Sequence, residues 1–275
     1  MIASTTLALE ARAIVADTDD PKLVSIEVPL TRLPSVWDGL TIVQLSDFHY
    51  DDCFSVVPIR KAIEMVNRLR PDLIVLTGDF VTLPLLFNLF DNSRQAAGVV
   101  GPCAALLGQL RAPLGIFAVL GNHDVLTDPQ FIVENLQANG IQILRNAAVP
   151  LQRRGNHLWL AGVDDALNGD PDLELTMRGI PPEGPVILLV HEPDYARKVA
   201  RYPVDLQLSG HSHGGQIAIP LIGAPYLPPM GRRYPKGLYR IGPLTLYTNA
   251  GLGTIRIAAR WNCPSEITLV KLRTA

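Results

Sequence analysis

The sequence predicts an α/β fold, a mixed sheet or a pair of sheets with helices outside. Three observations carry this expectation. Short, nearly continuous apolar runs rich in β-branched residues recur along the chain, and each ends in a polar cluster. Segments with helical spacing of apolar residues lie between the early runs. Apolar residues make up 48% of the chain and charged residues 18%, enough to build a large buried core.

The elements follow in order. Residues 42–45, 73–76, 116–120, 186–190 and 204–208 read as strands buried on both faces, because they lack the alternation of a half-exposed strand. Residues 58–69 read as a helix with Ile59, Ile63, Val66 and Leu69 on one face and a proline in the first turn. A second helix is expected within 93–110, broken or kinked by Gly98, Gly101 and Pro102. A third spans 129–138, with Asp128 as N-cap and Gly140 just past its end. Strand and helix in alternation imply βαβ units. Beyond residue 141 short strands take over, at 141–144, 149–152 and 157–161. A hairpin follows at 237–241 and 244–248, turning at Gly242-Pro243, and a last strand at 266–272. With no internal repeat or long linker, one domain over 1–275 is expected, its core over about 38–272.

Charge and cysteine content narrow the function. A formal net charge of -2 and a pI near 6.3 do not provide the broad basic surface of a nucleic-acid binder, so no nucleic-acid polymer is expected as partner. Cys53, Cys103 and Cys263 are scattered, with no CxxC. They form neither a disulfide framework nor a thiolate metal site. No apolar stretch reaches the roughly 18 residues that cross a bilayer. The N-terminal segment lacks a basic start and a long apolar region, so a cytoplasmic protein is expected.

The polar clusters point to one site. Binding residues in α/β sheets collect beyond the carboxyl ends of the strands, and five of the six histidines stand there: His49, His123, His191, His211 and His213. With them come Asp47, Asp79, Asn122 and Asp124. Imidazoles, carboxylates and an amide oxygen without thiolate suit Mn, Fe or Zn better than a structural zinc cage. The ligands are too many for one tetrahedral ion and about enough for two that share a carboxylate. Such a pair, roughly 3.5–4 Å apart, clamps phosphoryl oxygens.

The ordered set Asp47-x-His49, Gly78-Asp79, Gly121-Asn122-His123-Asp124, His191 and Gly210-His211-x-His213 resembles the calcineurin-like metallophosphoesterase superfamily. Each block is weak alone; the ordered set is specific. The run Gly210 to Gln216, with Gly237-Leu238-Tyr239 and residues 249–253, is similar to its YkuE/YaeI-like bacterial branch. The resemblance implies a two-sheet β-sandwich flanked by helices, in four layers. It implies a binuclear metal-dependent phosphoesterase, a phosphodiesterase or pyrophosphatase, in which a metal-bridging hydroxide attacks phosphorus. By position, Asp47, His49 and His213 would bind one metal and Asn122, His191 and His211 the other, with Asp79 bridging. His123 would stabilise the transition state or protonate the leaving oxygen, and Asp124 would orient its imidazole.

Around this set, Gln216 and Asn249 are candidates to line the site. Two apolar loops, 81–90 and 217–230, flank it in sequence, and Arg232-Arg233 follow the second. They suggest a small-molecule or lipid phosphoester substrate, with peripheral membrane contact through the loops and the arginines meeting phosphates. The bland reading is that the loops pack on each other or form an oligomer contact. The alternative for the whole chain is a catalytically inactive scaffold on this fold that acts as a protein-interaction module.

Overall fold

The apolar runs pair with one another in a computed structural model that describes residues 20–83 and 98–275. The strands are β1 (Lys22–Leu30), β2 (Thr41–Leu45), β3 (Leu73–Leu76), β4 (Ile116–Ala118), β5 (Ile141–Ile143), β6 (Ala147–Arg153), β7 (Asn156–Gly162), β8 (Val186–Leu189), β9 (Leu206–Ser209), β10 (Gly237–Ile241), β11 (Leu244–Thr248) and β12 (Glu266–Thr274). They form two six-stranded sheets, ordered β1-β12-β2-β3-β4-β5 and β10-β11-β9-β8-β7-β6.

Both sheets are mixed. In the first, β2 to β5 run parallel, with Ile42 opposite Leu73, Ile74 opposite Ile116 and Ile116 opposite Ile141. In the second, β7, β8, β9 and β11 run parallel, and the antiparallel strands β6 and β10 close the two edges. Parallel strands feel both faces of a sheet as interior, which is why their sequences do not alternate.

The sheets stack face to face. Ile42, Leu73, Val75 and Phe117 of the first pack with Leu160, Ile187, Leu189, Leu206 and Leu208 of the second. On the outer face of the first sheet, the helices Val56–Leu69, Val100–Leu107 and Pro129–Ala138 bury Ile59, Ile63, Val66, Leu107, Ile132 and Leu136. On the outer face of the second, the short helices Leu173–Met177 and Ala196–Val199 cover Val186, Leu188 and Leu246. The result is helix, sheet, sheet, helix: the α/β two-sheet sandwich that the sequence implies.

Three details have physical reasons. The helix expected within 93–110 is interrupted, at Val99, just ahead of Gly101 and Pro102, which then stand in the first turn of the helix Val100–Leu107. A proline in the first turn lacks an N–H that would have had no partner there anyway. Residues 93–97 lie outside the described residues. The core begins earlier than residue 38, because β1 pairs along its whole length with β12, and Val28, Leu30, Leu33 and Trp37 are buried. β1 is a mostly exposed edge strand with Ser25, Glu27 and Pro29 in it, so its apolar signal is diluted. The two short helices over the second sheet are too brief to leave a helical period in the sequence.

Candidate metal centre

The carboxyl ends of both sheets meet at one place. From the first sheet, β2 delivers Asp47 and His49, β3 delivers Asp79, and β4 delivers Asn122 and His123. From the second, β8 delivers His191, and β9 delivers His211 and His213. The turns that carry them are unusual. Asp47, His49, Asp79, His211 and His213 have φ of 51°, 41°, 58°, 70° and 53°, in the left-handed region that non-glycine residues rarely enter. Each such residue costs about 1–3 kcal/mol unless its surroundings hold it. Here they do. The Asp47 and His49 N–H groups donate to the carbonyls of Gly78 (2.9 Å) and Asp79 (3.0 Å), extending the β2–β3 ladder past the strand ends. The Asp47 carboxylate also accepts the His211 N–H at 2.9 Å, tying the two sheets together.

Close approach explains Gly121 as well. A Cβ there would press on the Asp79 carboxylate, lie 2.6 Å from the Asp79 nitrogen and 2.8 Å from His191 Cε1.

The side chains converge with their metal-binding atoms inward. Asp79 Oδ2 lies 3.5 Å from His49 Nε2 and 3.2 Å from His191 Nε2, so one oxygen faces both halves of the cluster. His213 Nε2 is 3.0 Å from His49 Nε2 and 3.4 Å from Asp47 Oδ1. Three overlapping triads result, Asp47, His49 and His213 on one side, Asp79, His191 and His211 on the other, and His49, Asp79 and His123 between them, each with its ligand atoms within 4.8 Å of one another. The outward nitrogens are held: His191 Nδ1 by the Thr77 carbonyl (2.6 Å), His211 Nε2 by the Pro229 carbonyl (2.7 Å) and His49 Nδ1 by the Thr82 hydroxyl (2.9 Å). Backbone carbonyls there accept from the ring N–H, which in a neutral ring leaves the inner nitrogen as a lone pair, the form that ligates metal; His191 reaches that form on giving up the proton that Asp79 holds on it. His191 Nε2, His211 Nδ1 and Asn122 Oδ1 are all buried without a hydrogen-bond partner. An orphaned buried polar group costs about 1–3 kcal/mol, and cations at this place would relieve all three. The donor set fits two metal ions sharing Asp79.

Electrostatics agree. Burial pushes His49 down to about 3 and His211 down to about 4, and lowers His123 and His213 too. Burial alone would raise Asp79, yet its interactions with the imidazoles, His191 first, outweigh it and hold the carboxyl well below its usual range. Burial alone would lower His191, and the Asp79 carboxylate outweighs that in turn. Burial pushes Asp47 up to about 6. Apart from His191, the imidazoles are therefore neutral near pH 7, ready to bind a cation.

The other candidates divide. His123 lines the pocket beside Asp79, and its Nδ1 accepts the Leu83 N–H at 2.9 Å. Asp124 does not orient that ring as the resemblance implies. Its carboxylate instead accepts the N–H groups of Asp79, Phe80 and Gly121 at 2.8–2.9 Å, pinning the bridging loop. Burial, then the charge of Asp79, push it up to about 8. Gln216 reaches the pocket, but its amide is spent on the Ile255 N–H (2.8 Å) and the Ile257 carbonyl (2.7 Å). Asn249 is fully buried and structural, accepting the Gly251 N–H and donating to Thr268. Arg232 and Arg233 lie off the pocket wall, with their backbone N–H groups held by Asp194. Glu192, next in the chain to His191, is buried, and its carboxyl takes the Ala166 N–H. Residues 84–90 of the first apolar loop lie outside the described residues, while Val81 is buried against the core.

Two residues escaped the sequence reading. Arg256 is the basic side chain in the pocket wall, 4.9 Å from the Tyr226 ring. Arg260 is fully buried beside His213, and its guanidinium donates to the carbonyls of Ala250, Gly253 and Cys263. Neither stands in a motif, and only the fold brings them to the site. The cavity holds about 420 Å³. Beyond the metal cluster its wall is apolar: Leu167, Ile217, Tyr226, Pro228, Ile255 and Ile257.

Comparison with known proteins bears on this geometry. The calcineurin-like phosphoesterase family model matches residues 40–215. The metallophosphoesterase YkuE of Bacillus subtilis is 38% identical over 244 residues, 88% of this chain and 82% of that protein. Phosphodiesterase YaeI of Escherichia coli is 34% identical over 238 residues, 84% of this chain and 81% of that protein. A transmembrane protein with metallophosphoesterase domain from Danio rerio is 33% identical over 284 residues, 98% of this chain and 61% of that protein.

Proposed function

The chain belongs to the calcineurin-like phosphoesterase family, and from that premise we propose that it is a phosphodiesterase using two Mn, Fe or Zn ions. Asp47, His49 and His213 would hold one ion, Asn122, His191 and His211 the other, and Asp79 both. The observation that carries this is the shared carboxylate: Asp79 Oδ2 faces His49 Nε2 and His191 Nε2 at 3.5 and 3.2 Å, amid buried ligand atoms with no partner. Bound metal ions would polarise the phosphoryl oxygens and lower the pKa of water at the site.

The chain's own residues supply the rest. Because His123 Nδ1 accepts the Leu83 N–H, the neutral ring carries its proton on Nε2. His123 would therefore donate to the phosphoryl or leaving oxygen as charge builds there. Asp124 holds the loop of Asp79 in place and touches no substrate. A diester is favoured over a monoester by the pocket wall. Among the described residues that line it, Arg256 carries the one guanidinium, and most of the remaining surface is apolar, which suits the second substituent of a diester better than a dianionic monoester. The Escherichia coli relative is named a phosphodiesterase. A pyrophosphate diester fits the same site, with Arg256 meeting the second phosphate.

The test is hydrolysis of bis-p-nitrophenyl phosphate and p-nitrophenyl phosphate by metal-stripped protein, with Mn, Zn or Fe restored. The diester should turn over faster than the monoester, and only with metal. Asp79→Asn should lower the rate at least about a thousandfold, near 4 kcal/mol of transition-state stabilisation. Faster turnover of the monoester would overturn the diester assignment. Absence of both metal binding and turnover would leave the scaffold reading.

A further inference from the structure

We propose that the loops 217–236 and 254–262 form a docking surface for an anionic lipid bilayer, which holds the pocket mouth against the headgroup layer. Four observations carry this.

The first is exposure of large apolar side chains around one opening. Leu221 and Ile222 are 109% and 77% exposed, Ile257, Trp261 and Tyr226 58%, 52% and 50%. Leucine and isoleucine at the tip of a loop have no folding role when they touch so little of the protein, and a cluster with a tryptophan is the composition of an interfacial anchor.

The second is that the tip is built, not loose. Ile219 N–H donates to the Gly223 carbonyl at 2.9 Å, and Gly223 N–H returns to the Ile219 carbonyl at 2.8 Å. This tight turn forces Leu221 into the left-handed region, at φ 68°, and aims its side chain outward with that of Ile222. A bulky residue accepts that strain only where something else fixes the turn.

The third is charge. Residues 217–236 and 254–262 contain no Asp or Glu, yet they carry Arg232, Arg233, Lys236, Arg256 and Arg260, in a chain whose net charge is -2. Arg260 is buried and Lys236 pairs with Glu266 at 3.4 Å, so Arg232, Arg233 and Arg256 are the exposed cations of these loops, with the Asp194 carboxylate accepting the backbone N–H groups of the first two. A basic, apolar patch on an otherwise acidic protein is complementary to anionic headgroups over a hydrocarbon layer.

The fourth is attachment to the site. Ala218 N–H donates to the Trp261 carbonyl and Trp261 N–H to the Gln216 carbonyl, so the two loops are bonded to each other. The first begins just past His213, and its Pro229 carbonyl holds His211 Nε2. Docking would therefore position the metal centre itself, which gives the surface its use if the chain is a phosphoesterase; the docking does not depend on that reaction.

The experiment is sedimentation of the protein with vesicles of phosphatidylcholine alone and of phosphatidylcholine with phosphatidylglycerol, at low and high salt. Hydrolysis of bis-p-nitrophenyl phosphate is measured in parallel. Binding to the anionic vesicles, weakened by salt, is expected. The double variant Leu221→Asp/Ile222→Asp should weaken it at least about tenfold, and Arg232→Glu/Arg233→Glu by a similar factor. Both variants should keep the far-ultraviolet spectrum and the soluble-diester rate of the parent, since none of these residues lines the pocket. No sedimentation with anionic vesicles, or sedimentation that survives both variants, overturns the docking. So does a dimer in solution that Leu221→Asp/Ile222→Asp dissociates, because the patch is then a contact between two copies. Loss of diester hydrolysis with vesicle binding intact would count against the phosphoesterase reading alone.

Discussion

At the floor of the pocket, polar ligands from β2, β3, β4, β8 and β9 converge, and their histidines are held from behind by two backbone carbonyls and the Thr82 hydroxyl. At its rim, residues 217–230 and 254–262 place apolar side chains in solvent and hold one another through a few backbone bonds. The floor obeys the rule that buried polar atoms must be satisfied, and it satisfies that rule only with cations present. The rim breaks the rule that large apolar side chains avoid water in clusters. The two regions therefore answer to different needs. The floor is fixed by the sheets and serves the chemistry. The rim is not required to build the core and serves whatever the chemistry acts on. Substitutions in the floor should cost metal and catalysis together, and substitutions in the rim should change affinity while the metal stays.

The largest effect expected in the floor beyond the ligands themselves comes from Gly121→Ala. The added methyl would overlap the Asp79 carboxylate and crowd the His191 ring, and both would have to shift. Overpacking of this kind costs about 1–3 kcal/mol, and misplacing a shared ligand by an ångström undoes the geometry for two ions. Metal content by elemental analysis should fall well below that of the parent, while the far-ultraviolet spectrum is kept. A variant with full metal content would mean that the floor is softer than its close contacts suggest.

Arg260 is the one side chain that belongs to both regions, and it sharpens the comparison. Its guanidinium is 3.4 Å from His213 Nδ1 in the floor and donates to the carbonyls of Ala250, Gly253 and Cys263 behind the rim. Arg260→Met keeps much of the volume and leaves these buried carbonyls unpaired. Metal-free protein should lose about 2–4 kcal/mol in urea unfolding, read from a lower midpoint at unchanged slope. Metal affinity should fall as well, because His213 loses its neighbour. Unchanged stability would show that water replaces the guanidinium and that floor and rim are held separately.

How much of this was legible in the sequence follows the same division. The floor was legible because each ligand sits directly after an apolar strand, in a short block whose residue types betray its chemistry. Asp47, His49, Asp79, Asn122, His191, His211 and His213 all converge on one place in the fold. Their left-handed backbones were not legible, since a sequence gives no sign of a strained φ outside glycine. Asp124 shows the limit of position alone: it stands next to His123 in the chain, yet its carboxylate turns to the loop of Asp79. The rim was half legible. The apolar character of 217–230 is plain in the sequence, but its exposure is not, because a proline-rich apolar loop reads the same whether it caps a core or faces solvent. Arg256 and Arg260 were invisible, for they reach the site through loop packing that follows no period. β1 was missed for an opposite reason: an edge strand half open to water needs little apolar signal.

The smallest effect, and the most selective, is expected from Arg256→Ala in the rim. Arg256 stands in the pocket wall over the Tyr226 ring, and it makes no bond to a metal ligand. If it contacts the part of the substrate that does not react, removing it weakens ground state and transition state alike. KM for the diester should then rise by roughly threefold to tenfold, the size of one partly exposed charged contact, while kcat and metal content stay at the parent's values. A drop in kcat at constant KM would place Arg256 at the reacting phosphoryl group instead. The boundary between floor and rim would then lie farther out than the burial of the ligands implies, because a residue of the rim would be sharing in the chemistry.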